Sequence, residues 1–197
     1  MEKFRVVITF TEPLLGTVPL NKELYEDYIA TKAPEETDDE LDTVPEMVEK
    51  GTTGFHEIDG KPVLVDYIVR GFFKGACGNL RRVSGTLSEK LRAYKKEIDG
   101  LIFVFPRFIP INLSGEMGVL TRPLRASTAQ GERITLARSI MVPAGSTIEF
   151  TVLCLKDGEE KQLREWLAYG AFVGLGCWRG SGGYGRFTYE MEREGMV

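Results

Sequence analysis

Between Gly174 and Gly185, six of twelve residues are glycine. Glycine lacks a Cβ, so it enters positive-φ conformations freely and lets backbone approach backbone or a ligand. Each one also costs a helix about 1 kcal/mol relative to alanine, so the stretch reads as a loop. An amphipathic helix precedes it, Glu159 to Val173, with Leu163, Trp166, Leu167, Tyr169 and Phe172 as its apolar side chains. A strand follows, Arg186 to Met191. A glycine loop running from helix into strand reverses the order of the P-loop and the dinucleotide fingerprint. It also lacks the closing Gly-Lys-Ser/Thr, which disfavours nucleoside triphosphate binding through either motif. The loop has other means of holding an anionic polymer. Successive amides can form an anion-binding nest, Trp178, Tyr184 and Phe187 offer faces for base stacking, and Arg179 and Arg186 offer phosphate contacts. Its plainer reading is a hairpin that closes a sheet, with Trp178 in the core.

The rest of the chain supplies the elements around this loop. Phe4 to Phe10 is β-branched and aromatic and reads as a buried central strand. Residues 21–31 suit a short helix capped by Asn21. Asp59-Gly60 is a hairpin turn leading into Pro62-Val63-Leu64-Val65. From Tyr67 to Arg82 the apolar residues Ile68, Phe72, Ala76 and Leu80 recur at helical spacing, and Leu87 to Ile98 reads as a second, more polar helix. Leu101 to Phe108 is an apolar strand. Gly118–Leu124 and Glu132–Met141 are strand candidates joined by an irregular segment, and Ser146 to Leu155 alternates as a strand with one buried face. The order predicts an α+β chain with a ferredoxin-like, RRM-like β-α-β-β-α-β core. We expect one domain over 1–197, an acidic insertion at 33–60 and a basic hairpin or thumb at 107–141.

Composition bounds the function. At 197 residues, 43% hydrophobic and 27% charged, the chain is long enough for a full core. No opening signal segment and no membrane-length apolar run is present, so we expect a soluble, cytoplasmic protein with no membrane partner. Three scattered cysteines without a CxxC pair argue for reduced core thiols, not for a disulfide framework or a zinc site. Net charge is −4, but residues 21–60 hold thirteen acidic and three basic side chains, a balance of −10 that leaves +6 on the remainder. A body of that sign suits phosphates while the acidic segment projects elsewhere or folds back as a guard.

Three segments together resemble the RAMP superfamily, the nucleic-acid-binding subunits of CRISPR systems. Gly-Leu-Gly-Cys-Trp-Arg-Gly-Ser-Gly-Gly-Tyr-Gly-Arg-Phe, 174–187, looks like that family's glycine-rich loop. Asp66 to Leu80 sits where the family starts its first helix with a Gly-Ser-Ser-Leu-Lys-Gly type sequence. Arg133-Ile134-Thr135 through Val142-Pro143-Ala144-Gly145-Ser146-Thr147-Ile148-Glu149-Phe150 resembles the hairpin that runs into its Pro-Ala-Gly-Thr-x-Phe strand. The matches cover about 50 of the 197 residues and are nearest to the single-domain backbone subunits that bind crRNA. The chain departs from the pattern in having Gly71-Phe72-Phe73-Lys74 at the first helix and in its acidic insertion.

The resemblance implies a crRNA or other single-stranded RNA partner, other subunits of a ribonucleoprotein complex, and self-association along RNA. It implies a diverged member, from a host effector or a mobile element alike. It places Arg70 and Lys74 against phosphates at the start of the first helix. It places Gly176, Trp178, Arg179, Gly182, Gly183, Tyr184 and Arg186 at the loop. A second basic segment adds Arg122, Arg125 and Arg133, three of five arginines between Arg107 and Arg138 that face only Glu116 and Glu132. Arginine suits bidentate phosphate contacts. No catalytic residue is assigned and no cofactor is expected. An endoribonuclease would have to rely on His56, or on Asp38, Asp39 and Asp42 holding Mg²⁺. A third reading makes the acidic segment the binding surface of a protein-interaction module or inhibitor.

Overall fold

The computed structural model describes residues 1–20, 52–128, 131–177 and 179–196. The helix expected over 21–31, the carboxylates Asp38, Asp39 and Asp42, and Trp178 lie outside the described residues. In chain order the elements are β1 (Glu2–Phe10), β2 (Leu14–Leu15), β3 (Val18–Pro19), β4 (Thr52–Gly54), β5 (His56–Ile58), β6 (Lys61–Val65), α1 (Asp66–Leu80), α2 (Tyr94–Leu101), β7 (Ile102–Phe105), β8 (Phe108–Asn112), β9 (Gly118–Thr128), β10 (Gly131–Val142), β11 (Thr147–Cys154), α3 (Glu160–Tyr169) and β12 (Phe187–Met196). None of the described helices is long and apolar enough to cross a membrane.

Alternation in β1 builds the centre. Phe4, Val6, Ile8 and Phe10 are fully buried on one face, and the residues between them point to the other. β1 pairs antiparallel with β11 and β12, with Val6 opposite both Phe150 and Met191, and β7 pairs antiparallel with β11. The order β12-β1-β11-β7 is fourth, first, third, second of the ferredoxin-like plan, so the mixed α+β fold is the one expected. α1 and α3 cover the same sheet face. Phe73 of α1 packs on Trp166 of α3 at 5.7 Å between centroids, and Phe72 packs on Phe187 at 5.3 Å. β8 extends this sheet through β6 to β5, and β2, β10, β4, β3 and β9 form a second sheet.

Several segments differ from or refine what the sequence leads one to expect. The helix expected over Leu87–Ile98 is a 3-10 turn at Leu87–Lys90 followed by α2. The Glu165 carboxylate accepts from the amides of Leu87 (2.6 Å) and Ser88 (3.1 Å) and from Ser88 Oγ (2.6 Å). Trp166 Nε1 also donates to Ser88 Oγ at 3.0 Å, so bonds to α3 decide this segment's shape. The strand expected over Leu101–Phe108 breaks at Pro106, which has no N–H for the ladder, and resumes as β8. The described end of the insertion, 52–60, is ordered into β4 and β5, with the Asp59-Gly60 turn at φ 51° and 73°. The hairpin is β9–β10, paired from Gly118–Met141 to Thr128–Gly131, and Arg107 lies outside it beside β8.

Cys77 and Cys154 are buried, Cys177 is half-buried, and all three thiols are free. Burial pushes the Cys154 thiol up to about 12. It raises Cys77 and Cys177 as well, with Ser88 and Arg179 respectively opposing the shift.

Candidate nucleic-acid interface

The glycine loop leaves α3 at Gly170 and returns to the sheet at Phe187. It is anchored at both ends by its own backbone. The amide of Leu175 donates to Gly185 O (2.9 Å), Gly180 to Val173 O (2.9 Å), and Gly185 to Pro13 O (2.8 Å). These amides are committed to carbonyls, so the loop's glycines serve first to pack the backbone on itself. A Cβ on Gly185, at φ 67°, would lie 2.1 Å from Leu175 O. One on Gly176, at φ 77°, would lie 2.7 Å from a Leu14 methyl. Gly176 is therefore seated against β2, underneath the loop. The tip differs. Arg179 is exposed and precedes a 3-10 turn at Gly180–Gly182, and Gly183 ends that turn at φ 75°.

The second sheet brings the basic hairpin to this tip. β2 follows β1 by a few residues, pairs with β10 through Leu15–Met141 and Leu14–Val142, and carries the loop on its backbone. The base of the hairpin thus lies next to the loop. Arg122 of β9 places its guanidinium carbon 5.8 Å from the Tyr184 ring centroid, a cation–π distance. The Arg186 guanidinium lies beside Gly183, where an added Cβ would sit 3.5 Å from Nη2, and Arg186 Nε is buried with no hydrogen-bond partner. Arg138 Nε, on β10 opposite Thr121, is likewise buried and unpartnered. Arg122, Arg186 and Tyr184 therefore gather where loop and hairpin base meet, while Arg138, next to the residue that pairs with Arg122, takes the opposite face of the hairpin ladder. Sequence reading counted Arg138 among the hairpin arginines but had nothing to single it out.

The other candidates are distributed as follows. Gly182 and Gly183 are in the tip, half-buried. Arg125 and Arg133 occupy hairpin positions opposite Ile134 and Ala126, farther out than Arg122. Arg70 and Lys74 are on α1, but each is already held by a carboxylate: Arg70 Nη2 by Asp66 at 2.9 Å, one turn earlier, and Lys74 by Asp99 of α2. α1 still shares core with the loop, since Phe72 packs on Phe187. His56 is exposed on β5, opposite Val63. Among the described residues, no group of three His, Cys, Asp or Glu side chains could hold a metal ion.

No family model and no curated protein matches the chain. Among solved structures it is similar to a chain in the cryo-EM structure of the type III-B Cmr-beta bound to cognate target RNA. The TM-score is 0.57 at 14% identity, over 98% of this chain and 60% of that one. It therefore spans 60% of the length of that neighbour. A chain of a type IV-B CRISPR complex aligns over 99% of this chain and 92% of its own length at 13% identity, with a TM-score of 0.49. Likeness at such identity concerns fold, and function has to be argued from the site. In its fold, the chain is similar to that chain of the type III-B Cmr-beta structure.

Proposed function

We propose that this chain is an RNA-binding subunit of a CRISPR-type ribonucleoprotein, a non-catalytic scaffold that grips the backbone of crRNA or another single-stranded RNA. The observation that carries the reading is the meeting of Arg122, Tyr184 and Arg186 between the hairpin base and the glycine loop. The guanidinium groups of Arg122 and Arg186 bring two cations to this junction, and phosphate oxygens accept charge-assisted hydrogen bonds strongly. Tyr184 adds a face for a base. The type III-B Cmr-beta that contains the fold neighbour is bound to target RNA, which agrees with an RNA partner. No metal or cofactor enters the proposal.

Phosphate neutralisation releases counterions, so affinity should fall steeply with salt and vary little with sequence. Titrating a labelled single-stranded RNA of generic sequence at low and high salt tests this. Changing Arg179 and Arg186 together to alanine should weaken binding to all sequences alike, and an unchanged affinity would remove the loop from the interface.

A further inference from the structure

The main sheet has a second face that α1 and α3 leave uncovered. Register puts Phe105, Thr151, Arg5 and Glu192 in one row across it, and Val7 between Glu149 and Glu190 in another. Phe108 joins this face through the alternation of β8. Phe105 is 50% and Phe108 41% exposed, high values for large apolar rings.

Arg5 and Lys3 on this face are already paired with carboxylates. Arg5 forms a two-pronged bond to Glu149 at 2.7 and 2.8 Å and lies 3.9 Å from Glu192, and Lys3 bonds Glu194 at 2.8 Å. Four carboxylates, Glu149, Glu190, Glu192 and Glu194, thus meet three cations, since the Arg107 guanidinium carbon also lies 5.9 Å from the Phe108 ring centroid. Exposed aromatics on an open sheet can serve as an RNA-stacking platform. Phosphates, however, require a positive surplus, and the surplus here is negative. An apolar patch rimmed by charge is the anatomy of a protein interface.

We propose that this uncovered face docks a protein segment that seats an apolar side chain against Phe105 and Phe108 and sets arginine or lysine against Glu190 and Glu192. It is separate from the loop-and-hairpin interface, so the molecule presents RNA and a basic protein partner with different surfaces.

The probe is a labelled peptide of alternating leucine and arginine, titrated into the full chain, with a leucine–glutamate peptide as control. The wild type should bind the basic peptide and not the acidic one. Both Glu190→Lys/Glu192→Lys and Phe105→Ser should weaken that binding about tenfold, a difference of 1.4 kcal/mol, with single-stranded RNA affinity unchanged. Glu190→Gln/Glu192→Gln stands in should the charge reversal fail to fold. Peptide affinity within about twofold of wild type in these variants overturns the proposal. So does absence of wild-type binding, or a loss of RNA affinity in Phe105→Ser, which would make RNA the occupant. Failure of RNA binding by the wild type would sink the proposed function and leave this inference standing.

Discussion

The guanidinium of Arg122 lies 5.8 Å from the centre of the Tyr184 ring, joining the basic hairpin to the glycine loop. The two residues are 62 positions apart in a chain of 197. The contact makes one surface of two segments that sequence reading could only consider separately. If RNA crosses this junction, Tyr184 contributes a ring to stack on, backed by a cation on the hairpin. Tyr184→Ala should weaken binding of single-stranded RNA by roughly 1–3 kcal/mol, the usual value of one base–aromatic stack. Tyr184→Phe keeps the ring and should stay within about twofold of wild type. Fluorescence anisotropy on a labelled RNA measures both.

The loop arginines should show themselves in the salt dependence. Each phosphate contact on a single strand contributes about 0.7 to the slope of log K against log salt. Arg179→Ala/Arg186→Ala should therefore flatten the slope by roughly 1.4. Lys74→Ala should leave it nearly unchanged, because that ammonium is already bonded to Asp99.

Two glycines of the same loop should behave differently in thermal melts. Gly185→Ala adds a Cβ 2.1 Å from Leu175 O at a residue with φ 67°. Left-handed backbone and overpacking together cost about 3 kcal/mol. Gly180, at φ 73°, has nothing within 4 Å of an added Cβ. Gly180→Ala should therefore cost only about 1 kcal/mol, from backbone conformation alone.

Stability should fall at high pH through a buried thiol. The Cys154 thiol is pushed up to about 12 by burial, with Glu159 and Glu2 adding to the shift. Unfolded, a cysteine titrates near 8.5. Between these values the native state holds a proton that the unfolded state has released. Unfolding free energy then decreases with rising pH, by up to about 1.4 kcal/mol per pH unit for this one group. Denaturant unfolding from pH 8 to 10.5 should show the decline, and Cys154→Val should make it shallower, the raised Cys77 and Cys177 thiols keeping the remainder.

The staple between α3 and the 3-10 turn makes a separate prediction. Glu165 accepts hydrogen bonds from Leu87, Ser88 and Gln162, and removing it takes the acceptor from the Leu87 and Ser88 amides and the buried Ser88 hydroxyl, while Gln162 keeps its bond to Ser88 Oγ. Glu165→Ala should lower stability by about 2–3 kcal/mol, read by chemical denaturation.

Elements with strong internal patterning were legible in the sequence. The alternation of Phe4, Val6, Ile8 and Phe10, the helical spacing through Phe72 and Ala76, and the Asp59-Gly60 turn all led to the elements found. Where a long-range partner sets local shape, the pattern was silent. Nothing near Leu87 announces that Glu165 will hold its amide, and nothing near Pro106 fixes where β8 resumes. The same holds for the site. The glycine loop and its arginines could be named in advance, but several of its amides prove to be spent on the loop's own carbonyls. Which hairpin arginine meets the loop depends on how β2 pairs with β10, a register visible only once the fold is formed. Arg70 and Lys74 read as free cations because their partners, Asp66 and Asp99, became neighbours only when α1 and α2 formed and packed.

The most direct test is anisotropy titration of a labelled generic single-stranded RNA with the full chain at about 50 and 200 mM salt. Wild type is compared with Arg122→Ala/Arg186→Ala. If the loop and hairpin base form one RNA-binding surface, wild-type affinity falls steeply between the two salts. The double variant then binds more weakly at low salt and loses less affinity at high salt. Wild-type binding that ignores salt, or a double variant that binds as tightly as wild type, would contradict the account.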